Sequence, residues 1–142
     1  MEIKLVLYLP REAASVPVSR QVLDSCLERL GVAPDTRTDI ALALSEACAN
    51  VIMHAGPGDA YEVTARATDG RCVIEVVNTG DGAITPGGQV PATAEHGRGL
   101  TVIGAVTENL RLTGDGRTTV HFEKALEWLP GSAGQHLSGT GT

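Results

Sequence analysis

The chain has 142 residues, 42% hydrophobic and 20% charged, which suits one soluble domain with its own core. Its net charge is −6 and no basic run occurs, so the clustered Lys and Arg of a nucleic-acid surface are missing. No apolar stretch reaches transmembrane length, and the N-terminal run MEIKLVLYLPR carries acid and base without a small-residue cleavage site, which excludes a signal peptide.

Residues 2–9 alternate, with Ile3, Leu5, Leu7 and Leu9 on one face and Glu2, Lys4, Val6 and Tyr8 on the other. That is a strand, half buried or near an edge, and Pro10 ends it. Ser15 suits an N-cap and Pro17 a first turn; Val18, Val22, Leu23, Cys26, Leu27 and Leu30 then recur at helical spacing up to Gly31. A second helix opens at Pro34-Asp35-Thr36, where Thr36 and Asp39 have capping-box spacing, and runs to about His54 before Gly56-Pro57-Gly58. Residues 61–68 and 72–78 read as strands joined by an Asp69-Gly70 hairpin turn, the second apolar enough to be central. Residues 79–97 are Gly- and Pro-rich without periodicity; a loop of that length is often a lid or binding loop, the alternative being a floppy insertion. Residues 100–106 read as a short helix following Gly97-Arg98-Gly99, and residues 110–113 and 118–124 as two strands joined at Gly114-Asp115-Gly116.

This order predicts an α/β fold: a two-layer α/β sandwich with a mostly antiparallel five-stranded sheet and three helices. The domain spans residues 1–126, with a lid at about 79–97, and residues 127–142 form a Gly/Ser/Thr-rich disordered tail. Aromatics are few (Phe122, Trp128, Tyr8 and Tyr61), so Val, Leu, Ile and Ala must build the core. Cys26, Cys48 and Cys72 lie far apart in apolar runs with no metal-type pairing, and are expected to be buried reduced thiols of a cytoplasmic protein.

Three segments carry candidate chemistry. On the second helix Glu46, Asn50 and His54 fall one turn apart on one face of an otherwise apolar helix. A buried Glu and Asn must be paired or face a cavity. Asn supplies a hard oxygen suited to Mg²⁺, and a carboxylate one turn away suits a general base; a buried structural network is the alternative. Asn78-Thr79-Gly80-Asp81-Gly82 ends a central strand, where Asn78 offers an acceptor and a donor to a flat heterocycle and the glycines permit close backbone approach; alone, it is also an ordinary turn. His96-Gly97-Arg98-Gly99-Leu100 runs into a helix, where free N–H groups and Arg98 suit an anion.

In this order, over residues 1–125, the segments resemble the ATP-binding domain shared by gyrase, histidine kinases and MutL, the Bergerat or GHKL fold. Glu46 and Asn50 match its N-box, Asn78 to Gly82 its first glycine box, Gly97 to Leu100 its second, and Thr118-Thr119 its final nucleotide-contacting strand. The compact length and the run SEACANVIMHA are similar to the anti-sigma-factor serine/threonine kinases. That resemblance implies a bacterial homodimeric regulator that binds ATP and Mg²⁺, holds a sigma factor, and phosphorylates a Ser or Thr of a STAS-type antagonist, acting on neither nucleic acid nor membrane. It implies Glu46 as general base, Asn50 as the Mg²⁺ ligand, Asn78 at the adenine, Gly80 and Gly82 shaping the pocket, Gly97, Arg98, Gly99 and Leu100 around the phosphates, and Thr118 near the base edge. His54 receives no role. The chain departs from the family pattern at Asn78, where the family has Asp; at Glu95, near a family Arg; and at Arg117, where a Gly is usual. Two other readings stay open: a partner-sequestering module of the same fold without phosphotransfer, and a detached ATPase domain of a larger assembly.

Overall fold

The computed structural model describes residues 2–54, 58–68, 70–78, 94–113 and 118–131, with the side chains of His54 and of residues 94–98 excepted. Its elements are β1 (Ile3–Pro10), α1 (Ser15–Leu30), α2 (Pro34–His54), β2 (Ala60–Thr68), β3 (Arg71–Asn78), α3 (Ala94–Val106), β4 (Glu108–Thr113) and β5 (Thr119–Ala125). The sheet order is β1-β2-β3-β5-β4, and every neighbouring pair is antiparallel. β3 is the central strand, as its apolar run requires. β1 is an edge strand, the position in which its terminal Pro10 is tolerated.

The register puts Leu7, Val63, Val76 and Val120 in one row, and Leu5, Ala65, Ile74 and Phe122 in the next, all on one face. Against that face α2 lays Ile40, Ala43, Leu44, Ala47, Cys48 and Val51, α1 adds Leu23 and Leu27, and α3 adds Ile103. Each fully buried Leu, Ile or Val contributes about 1.5–3 kcal/mol. The small Ala43 and Ala47 let the backbone of α2 approach the sheet, so this helix is the buried centre of its layer. The result is the expected two-layer α/β sandwich, and among the described residues no helix covers the other sheet face. On that open face Val6 and Tyr8 stand exposed, and Glu75, His121, Glu123 and Arg71 pair across strands.

Several local expectations change. Ser15 is the first residue of α1, not its cap: Ala14 holds the cap position, and the Ser15 hydroxyl donates to Glu12 O at 2.7 Å. Gly31 does stop α1, in a left-handed conformation (φ 91°), its N–H shared by Glu28 O and Leu27 O. α2 begins at Pro34, so Thr36 lies inside the first turn, and Asp39 pairs with Lys124 instead of closing a capping box. The apolar stripe of α1 is narrower than its sequence: Val18 and Cys26 are exposed, while Ser15, Ser19, Leu23 and Leu27 face inward at four-residue spacing. Cys48 and Cys72 are buried free thiols, raised by burial to about 11 and about 12 respectively. The hairpin Thr68↔Arg71 matches the two-residue turn, with Gly70 at φ 78°.

Past β5 the chain runs back along the α1–α2 connection. Ala33 donates to Glu127 O and Leu129 to Gly31 O, both at 2.7 Å, and Val32 bridges Trp128. The turn 114–116 and residues 132–142 lie outside the described residues, as do Gly56 and Pro57. Among the described residues no helix is long and apolar enough to cross a membrane.

Candidate functional site

Burial of α2 decides which of its residues face the ligand side. The flank of the helix that carries Ile40, Ala47 and Val51 is spent on the sheet, and the flank with Asp39, Glu46 and Asn50 turns towards α3 and β5. Glu46 is partly exposed and Asn50 is 7% exposed, one turn further on. Gly99 of α3 lies directly over Glu46: a Cβ built on Gly99 would stand 4.0 Å from Glu46 Cβ. Glu46 and Gly99 are therefore neighbours, although 53 positions separate them in the chain.

Asn78 ends β3 on the inward face and is fully buried. Its N–H donates to Thr118 O at 2.9 Å, which sets Thr118, itself 3% exposed, beside it at the entrance to β5. Antiparallel pairing of β3 with β5 is what joins them. The predicted adenine-side residues thus form one corner, and Glu46, Asn50 and Gly99 another. α2 links the two, because it packs against both β3 and α3.

The second glycine box differs from expectation. α3 starts at Ala94, so Gly97, Arg98 and Gly99 lie within the helix and not ahead of it, and the open N–H groups belong to its first turn. Ala94 and Glu95 are strong helix formers, which extends the element backwards. Leu100 is partly buried and packs on the core. Thr118 precedes β5 and is not its first residue. Gly80, Gly82 and residues 79–93 of the expected lid lie outside the described residues, and of the side chains of Arg98 and His54 nothing is described.

The donor set fits Mg²⁺ held partly by a nucleotide. Among the described residues no group of three His, Cys, Asp or Glu forms a metal cage, and the candidate ligand is the amide of Asn50 beside one carboxylate, Glu46. Mg²⁺ characteristically takes one or two protein oxygens and completes its octahedron with phosphates and waters. A separate groove of about 320 Å³ lies between α1 and α2, lined by Arg20, Asp24, Arg37 and Thr38, and contains none of these residues.

Three ties were not read from the sequence. Arg11 donates to Ile52 O at 2.9 Å and Gly58 O at 3.2 Å, closing the C-terminal end of α2. Lys124 joins Asp39 to Val106 O. Tyr61 joins Ser15 beneath the helices. The available signal was polar residues inside apolar periodicities, Ser15 and Ser19 on α1 and Lys124 on β5, each of which demands a partner.

A five-stranded antiparallel sheet with three helices on one face defines the architecture, with Gly99 against Glu46 at one place and Asn78 beside Thr118 at another. The chain belongs to the histidine kinase-like ATPase domain family, which matches residues 9–124. Within it, the chain is 26% identical over 137 residues to the serine-protein kinase RsbW of Bacillus mycoides, covering 87% of this chain and 86% of that one. It is 28% identical over 132 residues to RsbW of Bacillus subtilis, covering 83% and 82% respectively. Among solved structures, the RsbU and RsbW domains of Rv1364c from Mycobacterium tuberculosis share the fold, with a TM-score of 0.68 at 23% identity over 87% of this chain; the chain spans about a third (32%) of that protein.

Proposed function

We propose that this protein is an ATP-dependent serine/threonine kinase of the anti-sigma-factor type, a homodimeric cytoplasmic regulator. In this reading it binds Mg·ATP, sequesters a sigma factor, and phosphorylates a Ser or Thr of a STAS-type antagonist. The observation that carries the proposal is the contact of Gly99 with Glu46, one turn from Asn50, on a helix whose other flank is buried. That arrangement places a carboxylate and an amide oxygen on the side of α2 that faces α3. The names of the RsbW relatives support the class of reaction.

Asn50 would hold Mg²⁺ through its amide oxygen, and the ion would screen the phosphate charge. Glu46 accepts the proton of the incoming hydroxyl as its oxygen attacks, the role of a positioned general base. Asn78 faces the adenine edge with Thr118 beside it. In this reading Gly80 and Gly82 would shape the base pocket, and Gly97, Arg98, Gly99 and Leu100 would lie around the phosphates. Asn78 replaces a family carboxylate, so its bond to the adenine amino group lacks charge assistance and is about half as strong.

Calorimetric titration of the purified protein with ATP, ADP and GTP, each with Mg²⁺, tests this. Adenine nucleotides should bind and GTP should not, and phosphate from ATP should then appear on an antagonist serine or threonine. A folded protein that binds no nucleotide overturns the reading. Binding without transfer to any antagonist leaves a sequestering module.

A further inference from the structure

Under the candidate site lies a closed set of buried polar side chains that the proposed chemistry does not use. The Tyr61 hydroxyl is 2.6 Å from Ser15 Oγ, and Ser19 Oγ is 3.6 Å from Cys48 Sγ. The Cys48 thiol also lies beside the Tyr61 hydroxyl. Proton directions follow from counting. Ser15 spends its hydroxyl hydrogen on Glu12 O at 2.7 Å, so Tyr61 donates to Ser15. Ser19 spends its own on Val16 O at 2.8 Å, so the Cys48 thiol donates to Ser19. The two serine hydrogens end on backbone carbonyls, of Glu12 just before α1 and of Val16 in its first turn. Burial pushes the thiol up to about 11 and the phenol up to about 12, so the set stays neutral at ordinary pH.

The placement of these groups matters more than their number. Tyr61 is the cross-strand partner of Asn78 in the β2–β3 ladder. Cys48 lies on α2 between Glu46 and Asn50, on the opposite flank. One fully buried phenol therefore touches the strand that carries Asn78, the helix that carries Glu46 and Asn50, and the start of α1. Apolar packing alone lets a helix roll by a fraction of a turn at small cost, whereas directional bonds at a fixed rotamer do not.

We propose that Tyr61 is a positioning residue for the nucleotide site. Through Ser15 on α1, the helix that Ser19 joins to Cys48, it fixes the roll of α2 against β3, and so the distance from the base corner at Asn78 to the Mg²⁺ corner at Asn50. The proposal rests on the nucleotide-binding reading above and adds a residue that touches neither nucleotide nor metal.

The test measures ATP affinity with and without Mg²⁺, and adenosine affinity, for the wild-type protein, Tyr61→Phe and Ser15→Ala. Tyr61→Phe keeps the ring and removes the tie; Ser15→Ala removes the same tie from the other end and decides the case should Tyr61→Phe fail to fold. Adenosine affinity is expected within about twofold of wild type, because the base corner is intact. The affinity gained on adding Mg²⁺ is expected to fall about tenfold, because the two corners are no longer held at the right spacing. An unchanged Mg²⁺ gain in a folded variant overturns the proposal, and a lowered melting temperature as the sole effect means that the tie is structural. Failure of the wild-type protein to bind ATP overturns the nucleotide reading instead, so the two failures are distinguishable.

Discussion

Lys124 Nζ lies 2.9 Å from Asp39 Oδ2 and 2.7 Å from Val106 O. One ammonium thus ties the first turns of α2 to the C-terminal carbonyl of α3, from an inward-facing position on β5. A cation at a helix C-terminus also meets the negative end of its dipole. α3 carries Gly99, so the bond fixes the far end of the helix whose near part holds Gly99 over Glu46. Lys124→Met keeps the aliphatic stem and removes these bonds. We predict a loss of about 1–2 kcal/mol, limited because Asp39 is more than one-third exposed. Hydrogen exchange should rise first in the last turn of α3. Uniform exchange across the molecule, or no loss of stability, contradicts the tie.

Asn78 is fully buried and neutral. Asn78→Asp puts a carboxylate in the same place. Without ligand, that charge is desolvated, and the melting temperature is expected to fall. With ATP present, the carboxylate accepts from the adenine amino group as a charged acceptor, and affinity is expected to rise about fivefold. The check is the melting temperature with and without ATP: the ligand-induced rise should be larger in the variant. Equal rises in both proteins would show that Asn78 does not face the base.

The fold was legible because the decisive signals are local and periodic. Alternation in β1, the Asp69-Gly70 turn and the Gly31 stop each depend on a few adjacent residues. The placing of Glu46 and Asn50 one turn apart on one helix was legible for the same reason. What stayed hidden depends on partners remote in the chain. Ser15 looks like a cap until Tyr61 is beside it, and Asp39 looks like half a capping box until Lys124 arrives from β5. Cys26 looked buried because its helix is apolar on more residues than the core has room to cover. The start of α3 was missed because the glycines of its second turn read as loop, while the helix formers before them were read as part of the lid.

The open sheet face sets an acid limit on stability. Glu123 accepts from His121 at 2.9 Å, Asn109 at 3.1 Å and Arg71 at 3.2 Å, which together hold its carboxyl down to about 2. An unfolded Glu titrates near ~4.3, so between these values the unfolded chain binds the extra proton. The contribution of Glu123 is therefore complete above about pH 5 and is lost as pH falls towards about 2. Glu123→Gln should be less stable than wild type at pH 7, and the gap in melting temperature should close by about pH 2. A gap that is constant from pH 7 to pH 2, followed by calorimetry, would show that the charge of Glu123 is not what these neighbours hold.

Gly99 and Glu46 separate binding from chemistry. A Cβ at position 99 meets Glu46 at ordinary contact distance, so Gly99→Ala should fold, and should match or exceed wild-type stability because Ala favours a helix interior by about 1 kcal/mol. Gly99→Leu extends over Glu46 into the space assigned to the phosphates, and is expected to fold and to lose Mg·ATP affinity by more than about tenfold. Glu46→Gln keeps the size and the partial exposure of the side chain but removes the proton acceptor. It is expected to bind Mg·ATP within about twofold of wild type and to transfer phosphate roughly 10²–10⁴-fold more slowly. Calorimetry paired with single-turnover phosphotransfer to a cognate antagonist reads both quantities on the same samples. Transfer at the wild-type rate by Glu46→Gln removes the general-base role, and collapse of its fold assigns Glu46 to a buried structural network.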